Sequence, residues 1–191
     1  MNNEIHRYRR QLKETLHPAR FEHSISVSFI CMALAMHYDA DLEQAEIAGL
    51  LHDCAKFYED RKLIELCEEK GILLTEDQLL APAVIHAVYG AWMAEHEFGI
   101  TDPAILSAIH WHTTGRAGMT LLEKILYVAD YIEPRRDKAA NLGTVRKLAF
   151  KSLDQTISEI LTGSLEYLNH KGSYIDNRSK EAYEYYSENR K

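Results

Sequence analysis

The sequence contains few cysteines and no paired ones. Its 191 residues include only three, Cys31, Cys54 and Cys67, and no two of them form a C-x-x-C motif. An odd number without close spacing argues against a disulfide framework and favours reduced thiols in the cytosol. Cys54 follows a His-Asp pair, but a cysteine on a helix is more commonly a small buried hydrophobe than a ligand.

Long hydrophobic runs are also missing. The longest apolar run, Phe29 to Met36, is far too short to cross a bilayer. The N-terminal residues lack the apolar segment of a secretory signal. The sequence therefore predicts a cytoplasmic protein that has no membrane partner.

Basic residues are outnumbered by acidic ones. The chain has 22 Lys and Arg against 29 Asp and Glu, which gives a formal net charge of −7. Proteins that bind nucleic acid through its phosphates usually carry a basic face, so this class is not expected. A ligand that carries phosphate must instead be held by local cations or by metal ions.

No segment shows the alternating pattern of a β-strand, whereas apolar residues recur at helical spacing throughout. Helix starts are indicated by capping boxes at Asp41, Thr75 and Thr120, and by Asp102 followed by a proline. The sequence predicts an all-α protein with a helical bundle of about eight to ten helices.

The length fits one domain, and neither a linker nor an internal repeat divides it. We expect a single domain over residues 1–191, with a core at about 17–140 and C-terminal helices at 144–191 packed on it. The pattern over 144–169 predicts one long or slightly broken helix, with a bend at Gly163.

His52 and Asp53 stand side by side at the end of an apolar helical run. Burying an imidazole and a carboxylate without partners costs several kcal/mol, and a metal ion would remove that cost. Taken alone, the dipeptide favours the simpler interpretation, a helix-end histidine that is hydrogen-bonded to a carboxylate.

Further His and Asp residues fall on separate predicted helices, a spacing that suits a site inside a bundle. The six candidate ligands are His23, His52, Asp53, His86, His110 and Asp130. Four imidazoles and two carboxylates are too many for one tetrahedral zinc and suit two transition-metal ions bridged by Asp53, with iron or manganese favoured and zinc an alternative. Two such ions lower the pKa of water and hold a phosphoryl group, so hydrolysis of a phosphate ester or anhydride is predicted.

Cationic and polar residues near these positions are candidates for phosphate contacts. They are Lys56, Arg136, His112 and Arg116, the last two in a loop with Thr113 and two glycines. Each has a simpler interpretation: Lys56 as a solvated helix-end lysine, Arg136 as a surface ion-pair partner, and the loop as an ordinary connection.

Three segments resemble the YqeK family of bacterial symmetrical diadenosine tetraphosphate hydrolases, within the HD-domain phosphohydrolase superfamily. They are Leu51-His52-Asp53-Cys54-Ala55-Lys56, His110-Trp111-His112-Thr113-Thr114-Gly115 and Ala129-Asp130-Tyr131-Ile132-Glu133-Pro134-Arg135-Arg136. Ala55 stands where the cyclic-dinucleotide phosphodiesterase branch usually has Gly, and the Gly-Tyr-Pro motif of that branch is absent. Cleavage of cyclic dinucleotides is therefore not expected.

The resemblance implies an HD fold, a dinuclear centre with iron favoured, and cleavage of diadenosine tetraphosphate into two ADP. It implies that the six candidates above are the metal ligands and that Asp53 and Lys56 are catalytic. The implied substrate contacts are Lys56, His112, Thr113 and Arg136 at the phosphates, with Gly172, Ser173, Tyr174, Ile175, Asp176, Asn177 and Tyr183 at the nucleoside end.

Two other functions remain open at this point. Another HD-type nucleotide phosphohydrolase, such as a nucleotidase or a nucleoside triphosphate hydrolase, would use the same ligands. A nucleotide or metal sensor without turnover is a further alternative, although the full ligand set together with Lys56 argues against it. The partner expected in each case is a small nucleotide, and the sequence permits a homodimer without requiring one.

Overall fold

The computed structural model describes residues 3–137, 139 and 141–188, and within them every regular element is helical. The helices are α1 (Asn3–Thr15), α2 (Pro18–Tyr38), α3 (Leu42–Leu51), α4 (Asp60–Glu69), α5 (Glu76–Leu80), α6 (Ile85–His96), α7 (Pro103–Trp111), α8 (Leu121–Ile132), α9 (Leu142–Leu148), α10 (Leu153–Lys171) and α11 (Asn177–Glu188), with a 3-10 turn at Pro82–Val84. The predicted all-α class is confirmed. The described residues form eleven α-helices, one more than the predicted upper limit, because the helix predicted over 144–169 is divided into α9 and α10.

The centre of the bundle is formed by four helices. Helices α2 and α7 each pack on both α3 and α8, and α6 packs on α7. Helices α2 and α3 approach closely at Gly49, where a Cβ atom would lie 2.7 Å from the Cα of Ser28. This close contact brings the end of α3, and with it His52, towards α2.

The predicted capping signals form, with one difference. Thr75 and Thr120 begin α5 and α8 with complete capping boxes. Asp41 accepts a hydrogen bond from the backbone of Gln44 at 2.8 Å, but the Gln44 side chain donates to Asp102 instead of returning to the cap. A long-range hydrogen bond between α3 and the start of α7 thus replaces the second half of that box.

The C-terminal helices cover one side of the bundle, where α10 packs on α8 and α11 packs on α10. The helical structure is interrupted between α9 and α10. There the Ser152 side chain caps α10 by accepting a hydrogen bond from the backbone N–H of Gln155. Helix α10 continues through Gly163, so the break lies earlier than the predicted bend. None of the described helices is long and apolar enough to span a membrane.

Candidate metal centre and adjoining cavities

Six side chains from five helical segments converge in the middle of the bundle. They form what we call the ligand cluster: His23 on α2, His52 and Asp53 at the end of α3, His86 on α6, His112 just after α7, and Asp130 on α8. His52, Asp53, His86 and His112 are buried. Five of the six are predicted ligands, and the sixth, His112, is a predicted phosphate contact.

One half of the ligand cluster surrounds Oδ2 of Asp53. The Nε2 atoms of His52 and His23 lie 3.3 and 3.8 Å from this oxygen. Asp130 completes the group, with its Oδ1 3.0 Å from Nε2 of His23 and 4.0 Å from Nε2 of His52. The ligand atoms of His23, His52 and Asp130 all lie within 4.8 Å of one another, and Oδ2 of Asp53 lies within 3.8 Å of both imidazole nitrogens, so one cation could reach all four.

The other half surrounds Oδ1 of the same aspartate. The Nε2 atoms of His86 and His112 lie 3.2 and 3.7 Å from Oδ1 of Asp53, and 3.2 Å from each other. Asp53 therefore directs its two oxygens to two different pairs of imidazoles. This is the arrangement expected of a carboxylate that bridges two cations.

Each ring of the ligand cluster is oriented through its Nδ1 atom. In three cases Nδ1 faces the backbone carbonyl three residues earlier, at 2.7 or 2.8 Å: His52 to Gly49, His86 to Ala83 and His112 to Ile109. Because a carbonyl can only accept, Nδ1 of His52 and His112 carries the proton and the lone pair of Nε2 is left for a metal; Nδ1 of His86 faces both its carbonyl and the ammonium group of Lys56.

The fourth ring, His23, faces a carboxylate instead of a carbonyl. Its Nδ1 lies 3.2 Å from Oε1 of buried Glu133. Burial raises the pKa of Glu133, but the backbone N–H of Arg135 and the Ser26 and His23 side chains outweigh it and lower the pKa overall. An ionised Glu133 makes His23 a stronger electron donor towards a cation.

The electrostatics of the ligand cluster also fit a cation. The Nε2 atoms of His23 and His52 are buried without a hydrogen-bond partner among the described residues. Burial raises the pKa of Asp53, yet the neighbouring rings of His52, His112 and His86 hold that pKa well below its usual value. Unpaired ring nitrogens beside an ionised carboxylate are costly alone and favourable around a metal ion.

His110 is a predicted ligand that the structure does not bring to the ligand cluster. Helix α7 buries Ile105, Ala108 and Ile109, and His112 continues this stripe seven residues after Ile105. His110 directly follows Ile109 in the sequence and is only half-buried. The centroid of its ring lies 4.4 Å from that of Trp111. The structure thus brings His112 to the ligand cluster and places His110 outside it, the reverse of what the sequence predicts for this segment.

Two contacts of the ligand cluster are absent from the predicted site. Arg20 places Nη1 2.7 Å from Oδ2 of Asp53, and Glu133 contacts His23 as described. Arg20 precedes His23 by three residues on α2, and Glu133 follows Asp130 by three. Residues three apart on a helix share a face, so this spacing was the available signal.

The predicted phosphate contacts divide into two groups. Lys56 lies beside the ligand cluster, with Nζ 2.9 Å from Nδ1 of His86, and Thr113 lies beside it with Oγ1 3.3 Å from Nε2 of His112. Arg136 pairs with Asp130 at 2.9 Å. Arg116 instead pairs with buried Glu123 at 2.9 Å, so the structure does not bring it to the ligand cluster.

Two cavities adjoin the ligand cluster and share Thr113 in their walls. The larger cavity, of about 770 Å³, is lined by His112, Thr113, Tyr127, Asp130, Tyr131, Arg136, Ala139, Asn141, Ile160, Gly163, Ser164, Glu166, Tyr167 and Leu168. The smaller cavity, of about 340 Å³, is lined by Leu73, Thr75, Asp77, Gln78, Val84, Val88, His110, Trp111, Thr113, Thr114, Asp176, Asn177, Arg178 and Glu181. Both volumes are typical of small-molecule sites.

The predicted nucleoside-binding turn, residues 172–177, reaches only the smaller cavity. Asp176 and Asn177 line it, and Asn177 donates from Nδ2 to Oδ2 of Asp77 at 2.8 Å. Tyr174 donates its hydroxyl to the other oxygen of Asp77. Gly172, Ser173, Ile175 and Tyr183 do not line either cavity, and Tyr183 packs against the core.

Comparison with known proteins gives consistent matches. The HD domain family model matches residues 20–135. The symmetrical bis(5'-nucleosyl)-tetraphosphatase of Bacillus subtilis (strain 168) is 40% identical over 166 residues, covering 86% of this chain and 87% of that protein. The protein of the same name from Staphylococcus aureus (strain NCTC 8325 / PS 47) is 36% identical over 186 residues, which cover 96% of this chain and 94% of that protein.

A solved structure matches over nearly the same length. The crystal structure of a Clostridium acetobutylicum protein, described as a predicted HD superfamily hydrolase involved in NAD metabolism, has a TM-score of 0.92 at 35% identity. The match covers 96% of this chain and 97% of that protein. Hydrolases with an HD domain are metal-dependent, and all six members of the ligand cluster lie within the matched residues 20–135.

Proposed function

The chain belongs to the HD-domain family, and from this premise we propose that it hydrolyses dinucleoside tetraphosphates, cutting diadenosine tetraphosphate into two ADP. The names of the relatives from Bacillus subtilis and Staphylococcus aureus support this substrate. The observation that carries the proposal is Asp53, whose two oxygens each face a separate pair of imidazole nitrogens.

The ligand cluster would hold two divalent transition-metal ions. The proposed ligands of the first are His23, His52, Asp53 and Asp130, and those of the second are Asp53, His86 and His112. Mixed imidazole and carboxylate ligands favour iron, with manganese or zinc as alternatives. When bound, the two ions would lower the pKa of a water molecule and offset the charge of the phosphoryl oxygens.

Hydrolysis of the central anhydride requires a simple exchange of bonds. The oxygen of water bonds to one of the two central phosphorus atoms, and the bond from that phosphorus to the central bridging oxygen breaks. The bridging oxygen keeps the electron pair and becomes a terminal phosphate oxygen of the second ADP. The protons released by water pass to solvent, and a side chain that protonates the leaving oxygen regains its proton from solvent.

Local cations would stabilise the charge that develops during this exchange. The chain as a whole is acidic, but Arg20, Lys56 and Arg136 surround the ligand cluster. Burial lowers the pKa of Lys56, and Arg20 lowers it further, although Asp53 opposes both. A lowered pKa makes proton donation to the leaving oxygen easier, so we assign Lys56 this role.

The smaller cavity would hold one nucleoside end of the substrate. Asp176 and Asn177 contribute polar groups, and Trp111 contributes an aromatic wall. Arg178 adds a positive charge at the same cavity. This part of the proposal places the turn at residues 172–177 in substrate binding rather than in chemistry.

The first experiment is product analysis. The purified protein is reconstituted with ferrous iron without oxygen, incubated with diadenosine tetraphosphate, and its products are separated by ion-exchange chromatography. We expect ADP alone. ATP together with AMP would contradict symmetrical cleavage while keeping metal-dependent hydrolysis.

Controls separate the proposal from its alternatives. The Asp53→Ala variant, treated in the same way, is expected to release no ADP, which excludes a contaminating hydrolase. If the unaltered protein leaves the substrate intact but cleaves a nucleoside monophosphate or triphosphate, the nucleotidase or triphosphatase alternative holds. If it cleaves none of these and nucleotide only raises its melting temperature, the protein is a sensor.

A further inference from the structure

The larger cavity has no role in the site described so far, apart from its contact with the ligand cluster. Resting on the proposed function, we propose that this cavity binds the second nucleoside diphosphate half of the substrate, with the phosphates at Arg136 and the base near Tyr131 and Tyr167. The first half would occupy the smaller cavity. The ligand cluster would then lie at the central anhydride between them.

The symmetry of the substrate motivates this assignment. A dinucleoside tetraphosphate extends from its central anhydride in two directions, and each direction ends in a nucleoside. Both cavities have Thr113 in their walls, and Oγ1 of this residue lies 3.3 Å from Nε2 of His112 in the ligand cluster. The proposal therefore places the phosphate chain past Thr113 and the ligand cluster, with one nucleoside in each cavity.

The inner part of the larger cavity is suited to phosphate. Asp130 of the ligand cluster lines it, and Arg136 pairs with this aspartate at 2.9 Å while leaving part of its guanidinium exposed. Arg146 fixes the chain around Arg136 by donating to the carbonyl oxygens of Ile132, Glu133 and Arg136. A guanidinium held in this way can contact phosphate oxygens directly next to the ligand cluster.

The outer part of the larger cavity is suited to a nucleoside. Arg136 lies over the ring of Tyr131 at 5.7 Å, and the Tyr131 hydroxyl donates to Oδ1 of Asn141 at 2.9 Å. Tyr167 lines the same cavity and is 59% exposed, so its ring is available for stacking. Charge next to the ligand cluster, followed outward by aromatic rings and an amide, matches the order of phosphate and base in ADP.

Gly163 keeps the wall of the larger cavity open. It lies within α10, where a Cβ atom would be 3.4 Å from Nδ2 of Asn141 and 3.9 Å from the hydroxyl of Tyr131. Gly163 has helical backbone angles, and residues with longer side chains, leucine included, favour the helix more than glycine does. A substitution by leucine is therefore compatible with this backbone. A leucine at this position would project into the larger cavity without touching the ligand cluster.

The test uses Gly163→Leu, with Gly143→Leu as a matched control, because Gly143 is also helical and has open space around its Cβ position. The metal-loaded proteins are titrated with ADP by calorimetry. We expect two ADP per chain for the unaltered protein and for Gly143→Leu, and one for Gly163→Leu. One ADP per chain in the unaltered protein, or two in Gly163→Leu, would overturn the inference.

Kinetics provide a second readout. We expect Gly163→Leu to raise the KM for diadenosine tetraphosphate roughly tenfold or more, and to change kcat/KM for adenosine tetraphosphate, which has one nucleoside, less than twofold. Tyr167→Ala should act in the same direction, and Tyr167→Phe should restore the lower KM. An equal loss on both substrates would contradict a role in binding the second nucleoside.

These results are distinct from a failure of the proposed function. If the unaltered protein released no ADP from diadenosine tetraphosphate, the proposed reaction would be wrong whatever the titration showed. If it released ADP but bound only one ADP per chain, the reaction would stand and the assignment of the larger cavity would be wrong.

Discussion

The ligand cluster and the smaller cavity are built in opposite ways. In the ligand cluster, the rings of His52, His86 and His112 are each fixed by a carbonyl three residues earlier, so one turn of backbone sets each orientation. In the smaller cavity, Asp77 and Asn177 meet across 100 residues of sequence, and Asn177 is exposed. The proposed metal ligands are thus oriented locally, whereas the proposed recognition groups depend on long-range side-chain contacts.

The difference has energetic consequences. Buried ring nitrogens and carboxylates have no water to replace a lost partner, so a change in the ligand cluster is costly. Exposed side chains at the smaller cavity exchange a lost partner for water, so changes there cost less. Substitutions in the two regions should therefore differ in both the size and the kind of their effect.

The largest effect is expected for Asp53→Ala. Removing both carboxylate oxygens takes a ligand from each half of the ligand cluster, so the variant should lose both metals and all hydrolysis while keeping its helical content. Metal analysis and circular dichroism test this, with exposed Asp60→Ala as the control. Near-normal metal content in Asp53→Ala would contradict the bridging role.

The next effect distinguishes two neighbouring histidines. His112→Ala should retain about one metal per chain and lose activity roughly 100-fold or more, because His112 points to Oδ1 of Asp53. His110→Ala should keep both metals, because its ring lies at the smaller cavity. Metal content in the two variants is the measurement, and the reverse outcome would restore His110 as the ligand.

A smaller effect is expected from the partner of His23. Glu133→Ala should weaken metal affinity about 10–100-fold, since His23 loses the carboxylate that orients its ring. Competition with a chelator measures this affinity. Glu22→Ala is the matched control, because Glu22 pairs with Arg135 on the surface at 3.1 Å. Equal affinities in the two variants would show that Glu133 is not needed to orient His23.

At the smaller cavity, Asp77→Ala should affect binding without affecting chemistry. Each hydrogen bond that Asp77 accepts from Asn177 or Tyr174 contributes about 1 kcal/mol, so KM should rise roughly fivefold or more with kcat nearly unchanged. Steady-state kinetics against the exposed neighbour control Glu76→Ala test this. A fall in kcat at constant KM would place Asp77 in the reaction instead.

The smallest effect is a pH dependence of stability in the metal-free protein. Because folding lowers the pKa of Glu133, this residue stabilises the fold above its ordinary pKa, and the contribution is lost as the pH falls through the folded-state value. The melting temperatures of the unaltered protein and of Glu133→Gln should therefore converge on acidification. A difference that widened at low pH would contradict the lowered pKa.

The sequence predicted the fold class and most of the ligand cluster from local patterns. Helical periodicity and capping residues act within one or two turns, so the helices and the two complete capping boxes at Thr75 and Thr120 could be read directly. The same periodicity placed the candidate ligands, His23 and Asp130 among them, on separate helices. The predicted long or slightly broken helix is two helices, α9 and α10, and α10 continues through Gly163.

The exchange of His110 and His112 shows the limit of this reasoning. Both residues stand at the end of α7, and the buried stripe of Ile105, Ala108 and Ile109 points to His112. The sequence showed two histidines two positions apart. The rotation of α7 about its own axis, relative to α6 and α8, decided which of the two rings reached Asp53. A rotation of this kind depends on packing between helices that are distant in sequence.

By itself, the sequence determined an all-α chain, the imidazole and carboxylate side chains available at its centre and the excess of acidic over basic residues, because composition and periodicity fix these properties. Only the tertiary structure decided that Asp53 divides its oxygens between two groups of imidazoles, that Arg20 and Glu133 lie beside them, and that two cavities share Thr113 in their walls. These features arise where helices from the whole chain pack together. Distances between such helices are set by side-chain packing and not by any local pattern.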